Sequence, residues 1–171
     1  MPRWLAQMVP WFFDRMAFDD AKAWGLDFYA ELKRLDGRVP FSVVYVWHAR
    51  FVTPLAIDVS EKRGRDPEPH RKLQALHQRA AAGDRAPVEE WRATLRDAYA
   101  YAYADAYAYA YAYADADADA YADAYAYAYA YAYAYAYAYA DADAERTRRM
   151  KLLADGMIQC LRRVQAPSAQ G

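Results

Sequence analysis

An all-α fold, a helical bundle carrying a long Ala/Tyr/Asp helical hairpin, is what this sequence predicts, and three observations carry it. Over residues 97–144 every even position is alanine and every odd position is tyrosine or aspartate, 24 dipeptides of which 16 hold Tyr and 8 hold Asp. No Gly, Pro or Asn interrupts the stretch, so nothing in it specifies the turns that a folded run of strands needs. Apolar residues on both sides recur at helical spacing, so helices feed in and out of the stretch.

The elements follow in chain order. Residues 1–36 read as helical: Trp11, Phe12, Met16 and Phe18 form an aromatic cluster, and Trp24, Phe28, Leu32 and Leu35 recur at spacings of four, four and three. Gly37 and Pro40 end that run. Residues 41–52, FSVVYVWHARFV, mix β-branched and aromatic side chains, so periodicity does not separate helix from strand there; length and helical surroundings favour helix. Residues 58–69 read as a polar, charged loop. Asp66, Pro67 and Glu68 then start a helix, since Asp accepts from free amides and Pro suits the first turn. It runs through RKLQALHQRAAA and stops at Gly83. Pro87 and Glu89 start the next, with Val88, Trp91 and Leu95 on its apolar side. After the stretch, Met150, Leu153, Ala154, Met157, Leu161 and Val164 mark one helix face, and Arg146, Arg148, Arg149, Lys151, Arg162 and Arg163 its wet side. Gly156 is a weak point of that helix.

Strict alternation is also the formal signature of a strand, so the stretch itself needs a physical decision. As one strand it would span roughly 160 Å; as helix it spans roughly 72 Å, and half of it is the best helix former. At 100° per residue, Asp97, Asp105, Asp115, Asp119, Asp123 and Asp141 share a wedge of about 80°, with Asp117 and Asp143 outside it. The Asp-rich part at 115–123 is the expected break, giving two antiparallel helices. Because Tyr and Asp codons differ by one base, the period of two also reads as an expanded hexanucleotide that the protein tolerates. The whole chain is expected to be one domain: an aromatic-rich helical part over 1–57, helices over 66–165 and a disordered tail over 166–171.

Charge sharpens the picture. The net charge is −1, yet of 23 acids eight lie in the stretch, which holds no base; the remaining 15 acids face all 22 bases, a surplus of +7. A simple basic footprint for nucleic acid is therefore not expected. The opening MPRWLAQMVPWFF meets Asp14 and Arg15 at once and does not read as a signal peptide. Tyr at every second position suits interfaces rather than mid-bilayer, so no membrane span is expected. One cysteine, Cys160, excludes an internal disulfide and fits a reducing, cytoplasmic setting.

The order of parts, LQALHQRAAAGDRAPVEEWRATLRDAYAYAYA over 73–104 and AERTRRMKLLADGMIQCLRR over 144–163, with VWHARFVTPL over 46–55 before them, resembles the alanine-rich immunity proteins of bacterial polymorphic toxin systems. That resemblance implies an all-helical cytoplasmic protein that binds and neutralises a cognate toxin and catalyses nothing. It carries over no catalytic motif, and the dipeptide register and aromatic N-terminus depart from it.

The reactive residue types point the same way. His48, His70 and His77 are the only histidines; His70 and His77 share a helix face, but no HExxH or Cys/His spacing is present, so surface and boundary histidines are expected and no metal. Cys160 reads as a small buried thiol rather than a nucleophile. Asp115, Asp117, Asp119 and Asp123 alternate as in a calcium loop but lack its glycine and distal Glu. No cofactor and no enzymatic activity are expected. Tyrosine gives stiff contact area with a hydrogen-bonding tip, and clustered carboxylates attract a cationic partner. Asp115, Asp117, Asp119, Tyr121 and Asp123 are accordingly the expected contact with a protein partner, a basic toxin. The competing expectation is a self-assembling protein whose alternating stretch forms sheets or fibres.

Overall fold

The computed structural model describes residues 1–99 and 143–167. All regular structure among them is helical, as the all-α expectation requires. The expected hairpin with its break at 115–123 lies outside the described residues, as do residues 168–171 of the tail. The described helices belong to two compact units, one made of residues 1–43 with 143–167 and the other of residues 44–99.

The first unit holds α1 (Arg3–Phe13), α2 (Phe18–Arg34) and α7 (Asp143–Arg162). The expected run over 1–36 is therefore two helices. Its break comes at Ala17, whose extended backbone precedes an acidic first turn, Asp19 and Asp20, that suits a helix N-terminus. Trp11, Phe12 and Met16 are buried, but Phe18 is 82% exposed, so it does not join their cluster as expected. Position decides this: Ala21, Trp24 and Phe28 form the inner side of α2, and Phe18 lies about 60–120° round the helix from them, in its first turn. The Phe12 ring lies 5.3 Å from Trp24, which stacks on Phe28 at 4.7 Å. Such offset aromatic pairs stabilise beyond the area they bury.

Helix α7 buries Met150, Leu153, Ala154, Met157 and Leu161 completely, the apolar face read from their spacing. It continues through Gly156 without interruption. Contacts between α2 and α7 advance together along both: Lys151 lies 3.8 Å from Asp20, Trp24 Nε1 donates to the Ala154 carbonyl at 2.8 Å, and Arg162 pairs with Asp27 at 2.8 Å. The two helices thus run in the same direction. Arg34 closes the arrangement, donating from Nη2 to the Leu161 carbonyl at 2.7 Å and from Nη1 to the Val164 carbonyl at 2.9 Å. Carbonyls at a helix C-terminus have no intrahelical donor, and the dipole there favours a cation.

The second unit holds most of α3 (Ser42–Trp47), a π-turn (His48–Val52), α4 (Thr53–Lys62), α5 (Glu68–Ala81) and α6 (Val88–Tyr99). The ambiguous run at 41–52 is helical. Helix α4 extends to Lys62, further than the loop expected over 58–69, and ends at Gly64 (φ +64°). Helix α5 begins where expected, with Asp66 Oδ1 accepting from the Glu68 amide at 2.9 Å. It ends at Gly83 (φ +92°), whose amide bonds the Ala80 carbonyl while that of Asp84 bonds Arg79. Those two bonds satisfy terminal carbonyls and require a left-handed residue at that place, which glycine adopts without strain. Asp36 (φ 51°) does the same for α2 without glycine, one residue ahead of the expected Gly37.

Candidate functional site: a buried histidine pair and an exposed aromatic face

Proline builds the first feature. Pro54 has no amide hydrogen, and in a regular α-helix its ring would meet the Arg50 carbonyl. The turn before it widens instead: the Thr53 amide bonds the His48 carbonyl five residues back, and Thr53 Oγ1 donates to the same oxygen at 2.9 Å. The Ala49 carbonyl loses its usual donor at Thr53, and the next amide in the π register would be that of Pro54. Gln74 of α5 fills the role, its Nε2 donating to Ala49 O at 2.8 Å. A side chain one helix away thus satisfies a backbone group that the π-turn strands.

Next to this turn the histidines meet. His48 and His77 stack with ring centroids 4.5 Å apart and planes 23° from parallel. Trp91 stands edge-on to His77 at 5.0 Å, and Tyr45 lies 6.1 Å from His77 and 6.0 Å from Trp91. Trp47 is edge-on to His48 at 5.0 Å. All three histidines of the chain are buried, which corrects the expectation of surface and boundary positions. Burial pushes His77 down to about 3; burial, opposed by the charge of Asp66, brings His70 down to about 4. Burial and the neighbouring His77 hold His48 well below its ordinary value. At neutral pH the pair is therefore uncharged, and it packs as aromatic rings. His77 Nδ1 is buried without a hydrogen-bond partner among the described residues. Among the described residues no three metal-ligating side chains converge, and Cys160 is buried.

The second feature lies on α2. Phe18 is 82% exposed, and Leu26 and Tyr29 are each 68% exposed. Lys22 and Lys33 are exposed between and beyond them. At helical pitch these five side chains fall within a wedge of about 80° and span about 22 Å along the axis. Isolated exposed apolar residues are ordinary, whereas three on one helix face form a candidate contact surface. Neither lysine makes an ion pair among the described residues. Asp19 is exposed at the edge of the face.

The sequence-derived contact residues Asp115, Asp117, Asp119, Tyr121 and Asp123 lie outside the described residues. Sequence reasoning missed the α2 face because it counted Phe18 as core. The signal was available: at 100° per residue Phe18, Leu26 and Tyr29 centre on a direction about 120° round the helix from that of Ala21, Trp24 and Phe28. It also missed Gln74, which only the prolyl break at Pro54 hints at. Comparison of the chain with protein-family models, with curated proteins and with solved structures gives no match.

Proposed function

We propose that this chain is a non-catalytic, cytoplasmic binding protein that neutralises a cationic protein toxin, as its resemblance to immunity proteins suggests. In this reading the Ala/Tyr/Asp stretch is a helical hairpin, and Asp115, Asp117, Asp119, Tyr121 and Asp123 meet the toxin. The observation that supports it is the way charge is distributed. In the described helices carboxylates stand beside bases: Glu145 with Arg148 and Arg149, Asp155 with Lys151, Glu61 with Arg71, Asp84 and Glu90 with Arg79. The stretch has eight aspartates and not one base to pair with them locally. Carboxylates with no base near them in sequence, set among tyrosines, attract a basic protein from a distance and then offer it stiff aromatic contact.

The test is co-expression with the product of the adjacent gene, followed by association kinetics of the purified pair. Wild-type chain restores growth of toxin-producing cells. The variant D115N/D117N/D119N/D123N associates about tenfold more slowly at low salt and nearly normally at high salt, since screening removes steering. Equal association rates for both chains at low salt, or no rescue by the wild type, overturns the reading.

A second reading, self-association, is favoured by a specific observation, the exposed aromatic and lysine face of α2.

A further inference from the structure

We propose that the α2 face formed by Phe18, Lys22, Leu26, Tyr29 and Lys33 is the docking site for the Tyr/Asp stretch of a second copy of this chain. The inference stands without the toxin reading and applies to the protein alone.

Charge names the occupant. Lys22 and Lys33 are exposed and have no carboxylate partner among the described residues, although α2 itself carries Asp19, Asp20, Asp27 and Glu31. Asp19 is exposed at the edge of the face, and the other three are engaged elsewhere: Asp20 beside Lys151, Asp27 on Arg162, and Glu31 between Arg34 and Arg162. Further acids are likewise committed, Asp58 to Lys62, Glu61 and Glu68 to Arg71, Glu145 to Arg148 and Arg149, and Asp155 to Lys151. The sequence contains one run rich in acid and empty of base, residues 97–144. It is also the run that holds 16 of the chain's 18 tyrosines, the side chain best suited to lie against Phe18, Leu26 and Tyr29.

Apolar and ionic matches therefore coincide. An anionic lipid surface would satisfy the two lysines as well, but a lipid surface has no use for the tyrosine-rich run. A face and a stretch on one chain are two different surfaces. Their pairing is heterologous, so a bound pair still offers one free face and one free stretch, and association continues with concentration.

Sedimentation velocity on the full-length chain tests this, with two variants. K22E/K33E reverses the face and touches no buried residue; D115N/D117N/D119N/D123N neutralises the centre of the stretch. Wild-type chain is expected to sediment faster as concentration rises, with the effect falling as salt is added. Each variant alone is expected to associate at least about tenfold more weakly. An equimolar mixture of the two restores association, and it stops at a heterodimer, because one intact face meets one intact stretch. A third variant, L26S/Y29S, keeps both lysines and is expected to weaken association similarly while its helical infrared band is unchanged.

A wild type that remains monomeric at every concentration overturns the proposal. So does a mixture of the two variants that associates no better than either alone. Flotation of the monomer with phosphatidylserine-containing vesicles, lost in K22E/K33E, overturns it in favour of a lipid surface. None of these outcomes bears on growth rescue by the wild type, so this proposal and the toxin reading fail separately.

Discussion

Arg34 shows how much one side chain can organise. Its guanidinium reaches two carbonyls at the end of α7 and the Glu31 carboxylate at 2.7 Å, so three donors in a fixed plane are used at once. Lysine carries one compact charge and has no such fork. Arg34→Lys is therefore expected to cost about 1–2 kcal/mol, mostly from the carbonyl contacts, because charge-assisted hydrogen bonds are worth that order while the exposed pair with Glu31 is worth little. Urea unfolding of the two chains measures it, and an unchanged midpoint would show that the carbonyls are equally well served by water. At the same scale, reading the residues in sequence succeeded where a side chain's fate depends on its own helix. Met150, Leu153 and Met157 were legible as core because their spacing fixes a face. His48 and His77 were not, since their burial comes from each other and from Trp91, residues 29 to 43 positions away in sequence from His48.

At the scale of elements, the helix running through α3, the π-turn and α4 is the most informative. A proline inside a helix leaves a gap in the hydrogen-bond ladder, and here the gap is shared between a wider turn and a neighbouring amide. Gln74→Ala leaves the Ala49 carbonyl without its donor and is expected to cost about 1–3 kcal/mol, the penalty for a stranded buried polar group. Pro54→Ala restores a backbone amide two turns from Trp47 and lets the turn tighten. In the double variant the loss from Gln74→Ala is expected to shrink by about 1 kcal/mol, because a backbone donor again reaches the strained region. Simple additivity in that double-mutant cycle would mean that the π-turn persists for reasons other than Pro54. Element ends, by contrast, are local events. Gly83 and the Asp66-Pro67 pair stop and start α5 as their chemistry dictates, whereas the end of α2 fell to Asp36, a residue that adopts the left-handed region more readily than most.

For the whole molecule the chief consequence is in acid. Three histidines are neutral in the fold and free to protonate near 6.5 once unfolded. Between that value and their lowered values in the fold, about 4 for His70 and about 3 for His77, the unfolded chain binds more protons. Stability therefore falls as pH falls from about 6.5 towards 4, and it is fully present above 6.5. Each buried histidine contributes up to about 1.4 kcal/mol per pH unit in that window. His77→Phe keeps an aromatic ring against Trp91 and is expected to flatten the profile by that amount per unit, as read by urea unfolding at a series of pH values. A wild-type stability that is level from pH 7 to 5 would contradict the burial of these rings. Glu145, held down to about 2 by hydrogen bonds from Arg148 and Arg149, acts only at lower pH.

By itself the sequence determined the helical class, most helix limits, the inner face of α7 and the segregation of charge between residues 97–144 and the rest. Each of these follows from neighbours within a few positions: period, proline, glycine and the count of acids and bases. Tertiary structure alone decided that two histidines stack in the interior and that Gln74 completes the turn at Ala49. The physical reason is the same in both. Burial and hydrogen-bond satisfaction belong to pairs of surfaces, and the second surface comes from residues that are near in space while distant along the chain.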